Sequence, residues 1–107
     1  MKDKDAPLVP NAIQDIMAKQ FMAELMYGID NYPDGVSADF KGHAEKMEAW
    51  AQAAAKENKL TFAHLLLVGT YSVLSKQDFD ELHNAITSLA VQLVQWREAL
   101  DRRTVPQ

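Results

Sequence analysis

Apolar residues recur at steps of three and four positions in four segments of the chain, and turn-forming residues separate these segments. Such spacing places apolar side chains on one face of a helix, so it predicts four helices. No strand pattern competes, and the expected fold is an all-α four-helix bundle in which the third and fourth helices form an antiparallel hairpin. The helices are expected from Asn11 to near Gly28, from just after Ser37 to near Glu57, from Thr61 to near Lys76, and from Phe79 to near Arg103.

Three helix starts carry a capping signal. Asn11 and Thr61 are suitable N-caps, and Asp78 followed by Glu81 is a variant of the capping box. Residues 10–103 are therefore expected to form one helical domain, with flexible tails at residues 1–9 and 104–107.

The first and third predicted helices differ in their apolar pattern. The first has a single stripe, which is expected to face the core and consists of Ile13, Ile16, Met17, Phe21 and Leu25. The third is apolar around most of its circumference, which is typical of a central, buried helix. Gly69 in its middle is unfavourable for helix formation and indicates close packing against a neighbouring helix.

Composition narrows the class of protein. The chain has 107 residues, of which 48% are hydrophobic, a net charge of −4 and no cysteine. The charge offers no general attraction to nucleic acid or to an anionic membrane, and the lack of cysteine excludes disulfides and cysteine-type metal sites. No segment is long and apolar enough for a signal peptide or a membrane span, so a cytoplasmic protein is expected. The apolar surface exceeds what a chain of this size hides easily, which favours a homo-oligomer, either a dimer or a tetramer.

Candidate chemistry is sparse. Glu45 and Glu48 share a helical face and, with Glu81, could hold Mg²⁺, although a solvated outer face is the simpler interpretation. His64 is expected to be a hydrogen-bonded boundary residue, and the arginines near the C-terminus are expected to form ion pairs at a helix end. The remaining candidates for contact with a ligand or partner are aromatic and polar: Tyr27, Asn31, Asp34, Trp50 and Tyr71.

Three segments resemble the small MazG-like proteins of actinobacteria and their phages. Residues 27–35, YGIDNYPDG, are similar to W-G-E-Q-N-H-P-D-G, and residues 60–67, LTFAHLLL, are similar to L-T-W-R-H-I-L-L. Residues 89–103, LAVQLVQWREALDRR, resemble V-A-A-V-A-V-Q-W-I-E-A-L-D-R-R. The resemblance implies an all-α nucleoside triphosphate pyrophosphohydrolase scaffold that is dimeric or tetrameric and binds Mg²⁺ through acidic residues on two neighbouring helices.

The expected acids are missing from the matched positions. Where the family has glutamates after its I-L-L, this chain has Val68, Gly69 and Ser72, and where the family has an acid in the fourth helix it has Ala85. Mg²⁺ takes hard oxygen ligands, and carboxylate charge supplies much of the affinity. The resemblance therefore implies a non-catalytic relative without a cofactor, and we expect Val68, Ser72 and Ala85 to be largely buried in a filled former site.

Three functions remain open. The first is a binding or regulatory module that acts on a protein partner, including a phage-encoded inhibitor of a host or viral enzyme. The second is a metal-independent protein that binds a nucleotide or small ligand, with Tyr27, Asn31 and Tyr71 lining the pocket. The third is a Mg²⁺-dependent pyrophosphohydrolase that has relocated its acids to Glu45, Glu48 and Glu81.

Overall fold

The computed structural model of the chain describes residues 11–28 and 31–104. Within these ranges the structure is all-helical and contains no strand. The helices are α1 (Asn11–Tyr27), α2 (Lys41–Lys56), α3 (Phe62–Ser75) and α4 (Phe79–Thr104), and a short 3₁₀ turn, Ala38–Phe40, precedes α2. The tail expected at residues 1–9 lies outside the described residues, as do residues 105–107, whereas Thr104 is the last residue of α4.

Two of the predicted caps are confirmed. Thr61 Oγ1 accepts a hydrogen bond from the His64 backbone N–H, and the His64 ring accepts one from the Thr61 N–H, which completes a capping box. Asp78 Oδ2 accepts a hydrogen bond of 3.0 Å from the Glu81 N–H. The expectation for Asn11 is wrong, because Asn11 is already the first residue of α1 and so lies inside the helix rather than before it.

The chain divides into two compact units, which we describe separately. One comprises the described residues of 34–96 and holds α2, α3 and most of α4. In it, α2 packs on α3, and the Ser37 N–H donates to the Leu74 carbonyl over 2.9 Å. The Phe62 and Trp96 rings stack with centroids 5.6 Å apart. Gly69 confirms the expected close helix approach, because a Cβ atom there would lie 2.8 Å from Leu89 Cδ1.

The other unit comprises the described residues of 1–33 and 97–107 and contains α1 and the end of α4. Arg97 connects the two helices: its Nη2 donates to Asp15 Oδ2 over 2.6 Å, and its Nε donates to Asp101 Oδ1 over 3.1 Å. Ala12 and Ala99 are buried in this unit. The predicted ion pairing at the C-terminal helix end is thus confirmed for Arg97.

Two expectations about burial are wrong. The apolar stripe of α1 does not face a core, because every residue from Gln14 to Gly28 is exposed. No residue of α3 is buried either, and Leu67 on this helix is 37% exposed. A helix with apolar residues on all sides needs neighbours on all sides, and in unit 34–96 open clefts remain on α3.

None of the described helices combines the length and the apolar character that crossing a bilayer requires.

Candidate functional site

A cleft of about 370 Å³ between α3 and α4 contains all four positions at which the resemblance implies lost metal ligands. Val68, Gly69 and Ser72 line it from α3, and Ala85 lines it from α4. These four residues are half-buried. The expectation that the former site is filled is therefore wrong, because open space remains between the two helices beside these partly buried residues. Small side chains on both helices leave the space open, since nothing larger has replaced the acids.

The wall of this cleft is polar. Asn84, Ser88 and Gln92 continue along α4 beside Ala85, and Lys76 and Glu81 add one charge of each sign. Sequence reasoning missed Ser88 and Gln92. Their spacing from Ala85, three and seven positions further along α4, places them on the same helical face and is the signal that could have found them.

Gln92 is the most informative residue of this wall. Its Oε1 is shielded from solvent and has no hydrogen-bond partner among the described residues. A Cβ atom at position 69 would lie 3.3 Å from this oxygen, so Gly69 gives the amide the room it occupies. A buried acceptor without a donor costs about 1–3 kcal/mol. A small movement of the Gln92 side chain into the cleft would let a ligand or a water molecule donate a hydrogen bond to this oxygen and remove that cost.

A second cleft, of about 340 Å³, lies between α2 and α3. Glu45 and Glu48 line it from α2, opposite Val68 and Ser72 of α3. Glu81 lines the α3–α4 cleft instead. Across residues 11–28 and 31–104, no three His, Asp or Glu side chains are grouped so as to hold a metal ion. The three glutamates of the magnesium alternative are therefore not brought together within one copy of the chain.

The α2–α3 cleft has a lysine on each of its two sides, Lys41 at the start of α2 and Lys76 at the end of α3. Lys41 and Lys76 both line this cleft with Glu45 and Glu48, so two positive and two negative side chains face one space. A nearly neutral cleft of this kind does not concentrate either anions or cations strongly.

The aromatic candidates are engaged within unit 34–96. The Trp50 and His64 rings lie with centroids 4.1 Å apart, and His64 also takes part in the capping box with Thr61. This confirms His64 as a hydrogen-bonded, half-buried boundary residue. Tyr71 forms an aromatic cluster with Phe40 and His43, at centroid distances of 6.4 and 5.6 Å.

The other ligand candidates are exposed. Tyr27 at the end of α1 and Asn31 just beyond it are exposed, and so is Asp34. None of these three, nor Tyr71, lines either of the two clefts. Neither cleft is therefore the pocket that was expected to be lined by Tyr27, Asn31 and Tyr71.

Helix α1 was expected to bury its apolar stripe in the core, but its large apolar side chains are exposed. We call this exposed set the α1 face. It consists of seven large side chains that are 49–75% exposed: Ile16, Met17, Phe21, Met22, Leu25, Met26 and Tyr27. Three of the seven are methionines, whose flexible thioethers adapt to irregular partner surfaces. The signal for exposure was the wide distribution of these residues around the helix, which a single buried stripe does not explain.

Arg97 gives α1 a polar anchor through Asp15. Hydrogen bonds to Asp15 and then to Asp101 raise the pKa of Arg97, which keeps the guanidinium charged at every practical pH. The anchor lies in the first half of α1, so the polar contact fixes the start of the helix while the second half carries the exposed face.

Comparison with known proteins leaves the family open. No family model matches the chain, and no curated protein or solved structure matches it.

Proposed function

We propose that the chain is a non-catalytic helical binding module that docks the α1 face onto a protein partner. The observation that carries the proposal is the exposure of seven large apolar side chains on one helix of 17 residues. Monomeric soluble proteins rarely leave contiguous apolar patches of this kind, and where they do the patch usually marks an interaction site.

The size of the α1 face sets how much of an interface α1 can supply. Seven side chains that are half to three-quarters exposed each leave on the order of 100 Å² in water, or about 700 Å² together. A standard protein–protein interface buries about 800 Å² on each partner. Because the seven side chains lie around the helix, one groove takes up only those on one side, namely Met17, Phe21 and Leu25, or about 300 Å². The rest of one side of a standard interface must come from other parts of the chain.

The partner should present an apolar groove or an apolar helix face. The polar residues between the members of the α1 face include Lys19 and Glu24, which carry opposite charges. They provide a mixed rim rather than a strongly charged one. Helix-in-groove binding uses anchors at spacings of three, four and seven, and Met17, Phe21 and Leu25 are spaced in this way.

The docking test uses a photo-crosslinking phenylalanine analogue at position 21, with position 19 as the control on the same helix. The captured protein is then purified and titrated with the wild-type chain and with Phe21→Ser and Lys19→Ser. Phe21→Ser should weaken binding about 30-fold or more, as loss of an aromatic anchor does, and Lys19→Ser should change it by less than about 3-fold. Equal crosslinking from both positions, or equal binding by both variants, would overturn the proposal.

The catalytic interpretation is weakened by the residues at the α3–α4 cleft. In the MazG-like interpretation, Val68, Gly69, Ser72 and Ala85 occupy the ligand positions, and none of these offers a carboxylate. The contacts of Phe62 with Trp96 and of Gly69 with Leu89 support the antiparallel α3–α4 hairpin of such a bundle. A cytoplasmic pseudoenzyme, acting for example as a phage-encoded inhibitor, is the role that the resemblance favours.

A second candidate function is metal-independent binding of a nucleotide or another small ligand in the α3–α4 cleft. The unpartnered Gln92 Oε1 and the polar wall favour it. Thermal shift against a panel of nucleotides tests it, since a ligand at 100 times its Kd should add about 2.7 kcal/mol of stability. Ser88→Leu, which fills the cleft, should abolish any shift. The same shift in wild type and Ser88→Leu would place the ligand elsewhere.

A further inference from the structure

The α3–α4 cleft is lined by polar side chains that have no partners of their own. All of them belong to unit 34–96. Among the described residues, no side-chain hydrogen bond or ion pair joins any of them to another residue. Four come from α4, one from α3 and one from the residue that caps α3: Glu81, Asn84, Ser88, Gln92, Ser72 and Lys76.

The end of the cleft at Gln92 lacks a hydrogen-bond donor. Asn84 and Ser88 are exposed, so water can satisfy them, whereas Gln92 Oε1 is shielded from solvent and unpartnered. Gly69 on the facing helix leaves room for this oxygen, because a Cβ atom there would lie 3.3 Å from it. A molecule in the cleft that donates an N–H to this amide removes the cost of the unpaired acceptor.

The opposite end of the cleft carries one charge of each sign. Lys76 follows α3 and Glu81 lies in the first turn of α4, so both flank the short connection between the helices. They are the two charged residues among those that line the cleft, and their charges cancel. A polyphosphate would meet a single cation with a carboxylate beside it. A zwitterion suits this end better, because its carboxylate pairs with Lys76 and its ammonium with Glu81.

The middle of the cleft is small and apolar. Val68, Ala85 and Leu89 line it between the two ends. Glu81 and Gln92 are eleven positions apart on α4, which corresponds to about 16 Å along the helix axis. The cleft therefore presents, in order, a charge pair, an apolar stretch and an amide. The complementary molecule has a zwitterionic head, a short apolar stem and a neutral N–H donor at its tip.

We propose that the α3–α4 cleft binds a free α-amino acid whose neutral side chain ends in an N–H donor, such as an amide or a urea. The inference rests on the second candidate function, binding of a small ligand in this cleft, and selects the ligand class. The volume of about 370 Å³ lies at the small end of the range for ligand pockets. Because the cleft is open and the ligand small, we expect a Kd of about 10 µM to 1 mM.

The test is a titration of the ¹⁵N-labelled chain followed by amide chemical shifts. L-glutamine and L-citrulline carry the zwitterionic head and a neutral N–H donor at the tip. L-norleucine keeps the head but lacks the donor, and N-acetyl-L-glutamine keeps the donor but lacks the ammonium. At least one of the first two should shift resonances of cleft residues such as Ser72, Ser88 and the Gln92 side-chain amide. Each control compound should bind at least about 5-fold more weakly.

Two pairs of matched variants locate the contacts. Gln92→Met should weaken binding of the better amino acid about 3- to 10-fold, as loss of one hydrogen bond does, whereas Gln95→Met, which is exposed and outside the cleft, should not. Lys76→Met should weaken it about tenfold or more through loss of a charge-assisted bond. Lys56→Met at the exposed end of α2 is its control.

The outcomes separate the ligand class from the site. No binding of either amino acid at 10 mM, on the order of ten times the weakest expected Kd, would overturn the proposal. Equal binding of L-norleucine, or equal effects of Gln92→Met and Gln95→Met, would do the same. If a nucleotide instead stabilises the chain and Ser88→Leu abolishes the effect, the cleft is a ligand site but the zwitterion is wrong. Docking of the α1 face, tested through Phe21, is unaffected by any of these results.

Discussion

Helices α3 and α4 approach closely at Gly69, so replacing this glycine by alanine should lower the free energy of unfolding, whereas the same replacement at an open position should raise it. Gly69→Ala should destabilise the chain even though alanine is the better helix former. The substitution gains about 1 kcal/mol of helix propensity. Against this, the new Cβ would lie 2.8 Å from Leu89 Cδ1 and 3.3 Å from Gln92 Oε1, so both side chains must move.

The magnitude follows from the two opposing effects. Forcing extra volume into a packed helix contact costs about 1–3 kcal/mol, so the net loss for Gly69→Ala should be about 0–2 kcal/mol. The matched control is Gly42→Ala in the first turn of α2, where a Cβ would meet nothing within 4 Å. That variant should gain up to about 1 kcal/mol.

Urea unfolding followed by circular dichroism, at a concentration where the chain is monomeric, gives both free energies of unfolding. The prediction is that the two variants differ by about 1–3 kcal/mol with Gly69→Ala the less stable. Equal stabilisation by the two substitutions would mean that Leu89 does not restrict the space at Gly69.

Three further predictions concern the ends of helices, the anchor of α1 and catalysis. Thr61→Ala should cost about 1 kcal/mol in unfolding free energy through loss of the capping box, whereas Thr87→Ala, which removes a hydroxyl bonded within its own helix, should stay within about 0.5 kcal/mol. Asp15→Asn should lower the free energy of unfolding by at most about 1 kcal/mol, because the ion pair of Asp15 with Arg97 is exposed. It should nevertheless speed amide hydrogen exchange in α1, and unchanged exchange would contradict the anchoring role of Asp15. Pyrophosphate release from nucleoside triphosphates with Mg²⁺ should be absent, and turnover that disappears in Glu48→Gln would contradict the non-catalytic proposal.

The helices themselves were predictable because their signals are local. Thr61 and Asp78 cap the helices that follow them, and the bounds expected for α3 and α4 agree with the structure to within a residue or so. Local hydrogen bonds and turn chemistry decide where a helix begins, and both can be recognised from a few adjacent residues.

Burial was predicted less well, because periodicity does not say what covers a face. Phe21 and Ile86 belong to apolar stripes that a core or another chain would bury equally well. The structure leaves both exposed, at 62% and 50%. The number of neighbouring helices, which one chain supplies only in part, decides the outcome.

The sequence predicted some of the residues that line the α3–α4 cleft, but not that the cleft is open. The matched positions Val68 and Ala85 do face one space, as a shared site on neighbouring helices requires. Its openness was not expected, since the substitutions looked like conversion to a core. Whether small residues close a gap or line one depends on the helix separation, which Gly69 and Leu89 set and which a sequence pattern does not contain.

The α1 face should be uncovered in the free chain and covered by a partner in the complex. Amide hydrogen exchange of α1 in the dilute chain, and again with the partner captured through position 21, tests it most directly. The second half of α1 buries nothing, and isolated helices shorter than about 12–15 residues are marginal, so its amides should exchange rapidly in the free chain and become at least about 100-fold protected in the complex. Strong protection already present in the dilute monomer, or none gained on binding, would show that α1 is not a docking helix.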